Sequence, residues 1–200
     1  MSKVQYEGFP RKEGLPRKVL LFSGHMIDAP SRVAARFPPD KEPVAAAAID
    51  DVLAEIGVDW GDLAICGGSC GGDLLFAEAC LARGVRVELH IPFEEPAFLA
   101  RSVDFANANW HSRYLAVKSK AALRVMPDEL GPLTQGENPY KRNNHWMFDS
   151  AARFGIEKLV FICLWNGEDG DASGGTQHFM SEATRRTSRI FWLDTRKLWG

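Results

Sequence analysis

The chain predicts an α/β protein: a doubly wound, mostly parallel Rossmann-like sheet of about six strands, with helices on both faces. Three observations lead there. Short apolar runs alternate with segments of helical period along the chain. Most of these runs are apolar throughout, as strands covered on both faces are. The segments between them are long enough for right-handed crossovers, which leave few topologies. The expected strand order is 3-2-1-4-5-6.

Residues 1–17 carry Pro10, Gly14 and Pro16 among mixed charges and read as an irregular arm; residues 18–200 form a single domain. Lys18-Val19-Leu20-Leu21-Phe22 is the first strand, and it ends in Ser23-Gly24-His25. A long loop rich in turn formers follows, with Arg32 and Arg36 placed either to approach an anion or to stand solvated. Pro43 to Ile56 has helical period, with Pro43 suited to the first turn and Gly57 to the end. Leu63-Ala64-Ile65-Cys66 reads as a buried strand. Behind its glycine loop a helix carries Leu74, Leu75, Ala77 and Leu81 and closes at Gly84.

Val85 to Ile91 alternates as a strand with one less buried face, places His90 on the polar side, and stops at Pro92. Residues 94–118 hold one or two helices, and Leu123 to Met126 is a short strand halted by Pro127. After a loop from Asp128 to Arg142, Asn144 is placed to cap a helix through Phe154, with Gly155 as its stop. Lys158 to Trp165 is the most continuous apolar run and reads as a strand buried on both faces. A polar loop from Asn166 to Gly175 leads to a last helix capped by Thr176, and Arg189 to Leu193 makes the final strand.

Composition excludes several functions. The net charge of −2 and the lack of a basic run longer than Arg185-Arg186 argue against nucleic-acid binding driven by phosphate charge. No apolar stretch reaches the ~18–20 residues of a membrane span. Cys66, Cys70, Cys80 and Cys163 do not form a disulfide framework, no secretory signal precedes them, and a reduced cytoplasmic setting is expected. Cys66 and Cys70 with His25 or His90 lack a second ligand pair of recognisable spacing, so no metal is expected and no cofactor beyond the ligand is required.

The stretch that points to function is Gly67-Gly68-Ser69-Cys70-Gly71-Gly72-Asp73 between strand and helix. Glycines allow positive φ and close approach to the backbone, and a helix start adds unpaired N–H donors. One tight turn uses one or two glycines, so the surplus favours a phosphate held by the loop amides. The alternative is a plain βα turn with Asp73 as a capping carboxylate. Asp73 would otherwise accept from a ribose hydroxyl, since it would repel the phosphate itself. Glu78 either reaches the ribose as acid or base or stands solvated on the helix. Arg142 and Asn143 are placed to meet a second anionic group, and Gly174-Gly175-Thr176 is a second glycine-rich helix start. Ser23, Gly24 and His25 complete the set. The loops at 23–25, 67–72, 128–142 and 166–176 all begin at strand carboxyl ends and so converge on one edge of the sheet. Neither G-x-G-x-x-G after the first strand nor a P-loop is present, and Gly67-Gly68-Ser69-Cys70-Gly71 resembles a G-x-S-x-G elbow only superficially.

Gly67 to Asp73 followed by Glu78 resembles the GG-x-x-G-x-D motif of the SLOG superfamily, which groups SMF/DprA and LOG proteins. The ends Ser23-Gly24-His25 and Ile91-Pro92-Phe93, then Arg142-Asn143 with Met147 and Asp149, and Gly174-Gly175-Thr176 follow the order of its YpsA/YspA-like branch over residues 18–195. The resemblance implies a Rossmann-like domain that binds a nucleotide or nucleotide-derived ligand, often as a bacterial sensor beside an effector protein. LOG relatives are phosphoribohydrolases with P-G-G-x-G-T-x-x-E; here no Pro precedes Gly67, and Gly72-Asp73 stands in place of Gly-Thr. The expected function is therefore a nucleotide-ligand sensor. The alternative is an N-glycosidic hydrolase with Glu78 as its catalytic carboxylate. Trp199 suggests an apolar tail that could join two copies into a homodimer.

Overall fold

The computed structural model describes residues 14–106, 109–168, 176–187 and 189–200. Six strands form one sheet in the order β4-β3-β2-β1-β5-β6: β1 (Val19–Gly24), β2 (Leu63–Cys66), β3 (Arg86–Ile91), β4 (Ala122–Val125), β5 (Leu159–Trp165) and β6 (Ile190–Asp194). Every pairing is parallel. The fold class is as the sequence implies, but the strand order is not. β4 stands at the edge beyond β3, and β5 takes the place beside β1 that the expected order gave to β4. Burial explains the exchange. All seven residues of β5 are buried, whereas no residue of β4 is. A strand apolar on both faces belongs at the centre, and a short one carrying Arg124 belongs at an edge.

Period-two alternation splits the core into two layers. Leu20, Phe22, Ala64, Cys66, Ile162 and Leu164 face α1 (Glu42–Ile56) and α2 (Gly72–Ala82). The short α3 (Glu95–Ser102) and α4 (Trp110–Lys118) add Phe98, Trp110 and Tyr114 to this layer. Val19, Leu21, Leu63, Ile65, Phe161 and Cys163 face α5 (Pro139–Ala152) and α6 (Thr176–Arg186). Phe22 stacks on Phe76 of α2 at 4.6 Å between ring centroids.

Several ends follow local chemistry. Gly57 closes α1 in the left-handed conformation. The cap of α5 is Asn138, not Asn144; its side chain accepts from the Tyr140 and Lys141 amides, and Pro139 fills the first turn. A final turn, α7 (Thr195–Leu198), follows β6 and is capped by Asp194. Residues 1–13 of the expected arm lie outside the described residues; Arg17 already donates its amide to Gly61 O at 3.0 Å. Trp199 is not a free apolar tail but packs on Phe37 at 5.4 Å between centroids. His90 is buried, with Nε2 3.0 Å from Glu88 Oε2 and its ring tilted on Trp146. No described helix is long and apolar enough to cross a membrane.

The chain winds from β1 through β2 and β3 to β4, then crosses back past β1 to β5 and β6. The direction of winding thus reverses between β1 and β5. Ligands in such sheets sit outside the carboxyl ends at that reversal.

Candidate functional site

A cavity of about 430 Å³ opens at that place. Ser23 and Gly24 of β1, Gly67 after β2, Pro92 after β3 and Trp165 of β5 contribute to its wall. Of the residues expected from the sequence, Ser23, Gly24, His25, Gly67, Ser69, Asp73, Asn143 and Thr176 line it. Gly68, Cys70, Gly71, Gly72, Glu78 and Arg142 do not. Gly174 and Gly175 lie outside the described residues.

The glycine loop is not the open row of donors that its composition suggests. The Ser69 amide donates to Asp73 Oδ2 at 3.2 Å, Cys70 to Ser102 O at 2.8 Å, and Gly72 to His25 O at 3.0 Å. The surplus glycines serve packing between two loops. Gly71 has φ +88°, and a Cβ there would stand 2.5 Å from Ile27 N. The helix start of α2 is pressed against the backbone that follows β1, and no side chain fits between them. Only Gly67 and Ser69 of this loop reach the cavity wall.

Two other expectations move away from the cavity. Glu78 is held by Arg113, whose Nε and Nη2 donate to its two oxygens at 2.8 and 2.6 Å. The same guanidinium bonds Glu42 and lies over the Trp110 ring, so Glu78 ties α2 to α4 and α1. Arg142 turns outward and donates to the carbonyls of Gly131 and Leu130, with Glu137 beside it. Its neighbour Asn143 faces inward instead. Asn143 Nδ2 donates to His90 O at 2.8 Å, while its buried Oδ1 has no partner among the described residues.

Asp73 does not cap α2, whose N-cap, Gly71, has no side-chain hydrogen bond. Its carboxyl folds back to the Ser69 amide, and burial pushes its pKa up to about 7. His25 Nε2 lies 3.1 Å from both the Asn166 backbone nitrogen, which donates, and Asn166 Oδ1, which accepts. Burial, helped by nearby Arg36, brings the His25 pKa down to about 4, and the imidazole is neutral at pH 7. This pair bridges the ends of β1 and β5 across the reversal.

The charged wall comes from elsewhere. Arg32 and Arg36, on the loop after β1, and Arg101 on α3 all line the cavity. Asp28 organises that loop: its Oδ2 accepts from the Arg36 and Phe37 amides at 2.8 and 2.9 Å, and Arg32 Nε stands 3.3 Å from Oδ1. Three guanidiniums and the carboxyls of Asp28 and Asp73 thus line one cavity. Phe98, Phe105, Tyr140 and Met147 supply the apolar part. The sequence reading named Arg32 and Arg36 but missed Arg101, Phe98, Phe105 and Tyr140. Phe98 and Arg101 are three residues apart on one helix and so share a face. That spacing was legible; nothing local placed the helix over the cavity.

No family model matches the chain, and the search of curated proteins returned no match. Among solved structures, the chain is similar to TM1055, a structural-genomics target, at 13% identity and TM-score 0.36, over 73% of this chain. It spans 59% of that protein's length. It is similar to the molybdenum cofactor binding protein from the phototrophic bacterium Rippkaea orientalis at 8% identity and TM-score 0.34, over 90% of each chain. It is also similar to the Moco carrier protein from Chlamydomonas reinhardtii at 11% identity and TM-score 0.31, over 92% of this chain and 98% of that one. At these TM-scores the neighbours add nothing about the site beyond what its own geometry carries.

Proposed function

We propose that the chain binds an anionic nucleotide-type small molecule at the carboxyl edge of its sheet and acts as a ligand sensor of SLOG type. One observation carries this reading: Arg32, Arg36 and Arg101 converge on a single cavity at the reversal between β1 and β5. Guanidiniums meet phosphate oxygens bidentately. The aromatic and apolar part of the wall suits a flat ring. A volume of about 430 Å³ lies towards the small end of ligand clefts and favours a mononucleotide over a dinucleotide. The phosphate is assigned to the arginine wall rather than to the loop amides, three of which are already bonded within the protein. An effector partner that reads occupancy belongs to the same proposal.

Isothermal titration with AMP, ADP-ribose, NAD and cyclic nucleotides tests it. Saturable binding is expected, tightest for a mononucleotide and weakened about tenfold or more in Arg101→Ala. Silence across the panel overturns it. A second reading, hydrolysis of an N-glycosidic bond, draws on one feature: a cavity-lining carboxyl, Asp73, with its pKa raised to about 7. Asp73 takes the catalytic place first given to Glu78, which is engaged by Arg113. Release of free base from AMP, lost in Asp73→Asn, would favour the enzyme; binding without turnover favours the sensor.

A further inference from the structure

The loop that carries Arg32 and Arg36 is held from both sides. On its inner side Asp28 closes it, accepting from the Arg36 and Phe37 amides while the Asp28 amide donates to Phe37 O at 2.8 Å. On its outer side stands Trp199, which follows α7. The Trp199 indole stacks on Phe37, whose ring is fully buried, and its Nε1 donates to Arg36 O at 3.0 Å. Lys41 Nζ completes the attachment by donating to Trp199 O at 3.3 Å. The Trp199 amide is itself fixed to Thr195 O at 2.9 Å, so the indole is carried on a turn that continues directly from β6.

The contact is specific in a useful way. The carbonyl that the indole grips belongs to Arg36, the residue whose side chain lines the cavity. Moving that peptide moves the root of the guanidinium. The interaction is also long-range: residues 36 and 199 are 163 positions apart, and β6 is the edge strand furthest from β4. Three parts of the wall away from this loop are held by other contacts. His25 is held by β5, Ser69 by Asp73, and Asn143 by β3.

We propose that Trp199 is a positioning residue for the arginine wall, so that seating of the segment after β6 and occupancy of the cavity by an anion are thermodynamically linked. The inference rests on the anion-binding reading above. A seated indole sets the Arg36 backbone where its guanidinium faces the ligand. An anion that draws the wall inward stabilises the seated indole by the same factor, because linkage is reciprocal. Occupancy of an interior cavity is thereby expressed on the outer surface at α7, where a partner could read it.

Two variants separate the parts of the contact: Trp199→Phe keeps a ring on Phe37 and removes the N–H donor, and Trp199→Ala removes both. In the ligand-free protein, amide hydrogen exchange at Asp28, Arg36 and Phe37 should rise about tenfold in Trp199→Ala and less in Trp199→Phe, with the amides of β1 and β5 unchanged. Titration with AMP, and with inorganic phosphate as a probe without a ring, should show affinity about tenfold weaker in Trp199→Ala. The decisive arm is a double-mutant cycle. In an Arg36→Ala background Trp199→Ala should cost no further affinity, whereas in an Arg101→Ala background its tenfold cost should persist. An equal cost of Trp199→Ala in both backgrounds, or a uniform rise of exchange across the sheet, overturns the proposal and leaves Trp199 a structural residue. Absence of anion binding by the unsubstituted chain overturns the functional reading and the linkage with it. The exchange arm then still decides whether Trp199 holds the loop.

Discussion

Asp73 offers a prediction whose size follows from its surroundings. The carboxyl is buried, faces Gly67 closely enough that a Cβ there would lie 2.9 Å from its Oδ2, and has its pKa raised from 3.8 to about 7. The unfolded chain releases this proton near pH 4 and the folded chain only near pH 7. Between those values the folded state holds the extra proton, so this group's contribution to stability is full below about pH 4 and is lost as the pH rises to 7. Integrated from pH 5 to pH 8, the loss is about 2–3 kcal/mol. Asp73→Asn keeps an acceptor for the Ser69 amide and removes the titration. In urea unfolding, the stability difference between variant and unsubstituted protein should therefore shift by about 2–3 kcal/mol in the variant's favour from pH 5 to pH 8. The same substitution should flatten anion affinity, because ionised Asp73 repels an anion in the cavity. Sulfate is the suitable probe, as it does not titrate in this range. Parallel pH profiles for the two proteins would refute the assignment of a raised pKa to Asp73, and with it the acid-base reading of the site.

Three further outcomes are expected. Gly71→Ala combines a left-handed backbone with a Cβ 2.5 Å from Ile27 N and should cost ~2–5 kcal/mol in thermal or urea unfolding, while Gly131→Ala, with φ +75° and open space around it, should cost only ~1–2 kcal/mol. Glu78→Gln loosens the Arg113 bridge at the junction of α1, α2 and α4 and should cost about 1 kcal/mol or less, with AMP affinity unchanged; a loss of binding would return Glu78 to the site. Phe76→Ala removes the ring stacked on Phe22 beneath the cavity and should destabilise the fold by ~3–5 kcal/mol in a denaturant melt.

Much of the chain was legible without coordinates because its signals are local. Continuous apolar runs at Leu20 to Phe22 and Leu159 to Trp165 announced buried parallel strands, and the structure buries them. Gly57 and Pro43 bounded α1 where helix-end chemistry puts such residues. The carboxyl edge was identifiable for the same reason, since the direction of every strand follows from its crossover. The glycine loop was found, but its role was not legible. Its composition says only that side chains are excluded, and excluded side chains make room for a ligand and for a neighbouring loop equally well. The backbone at Ile27 fills that room.

What local pattern settled was the α/β class, the strands themselves and the direction in which they run, because each rests on periodicity or on chemistry within a few residues. The order of the strands, the charge of the cavity and the fate of each carboxylate were settled only by packing across long separations. Arg101 of α3 lines the same cavity as Arg32 and Arg36 of the loop after β1, Glu78 leaves it because Arg113 holds it, and Arg36 is held in place by an indole 163 residues away. Such contacts depend on which surfaces the folded sheet brings together, and no window of sequence contains both partners.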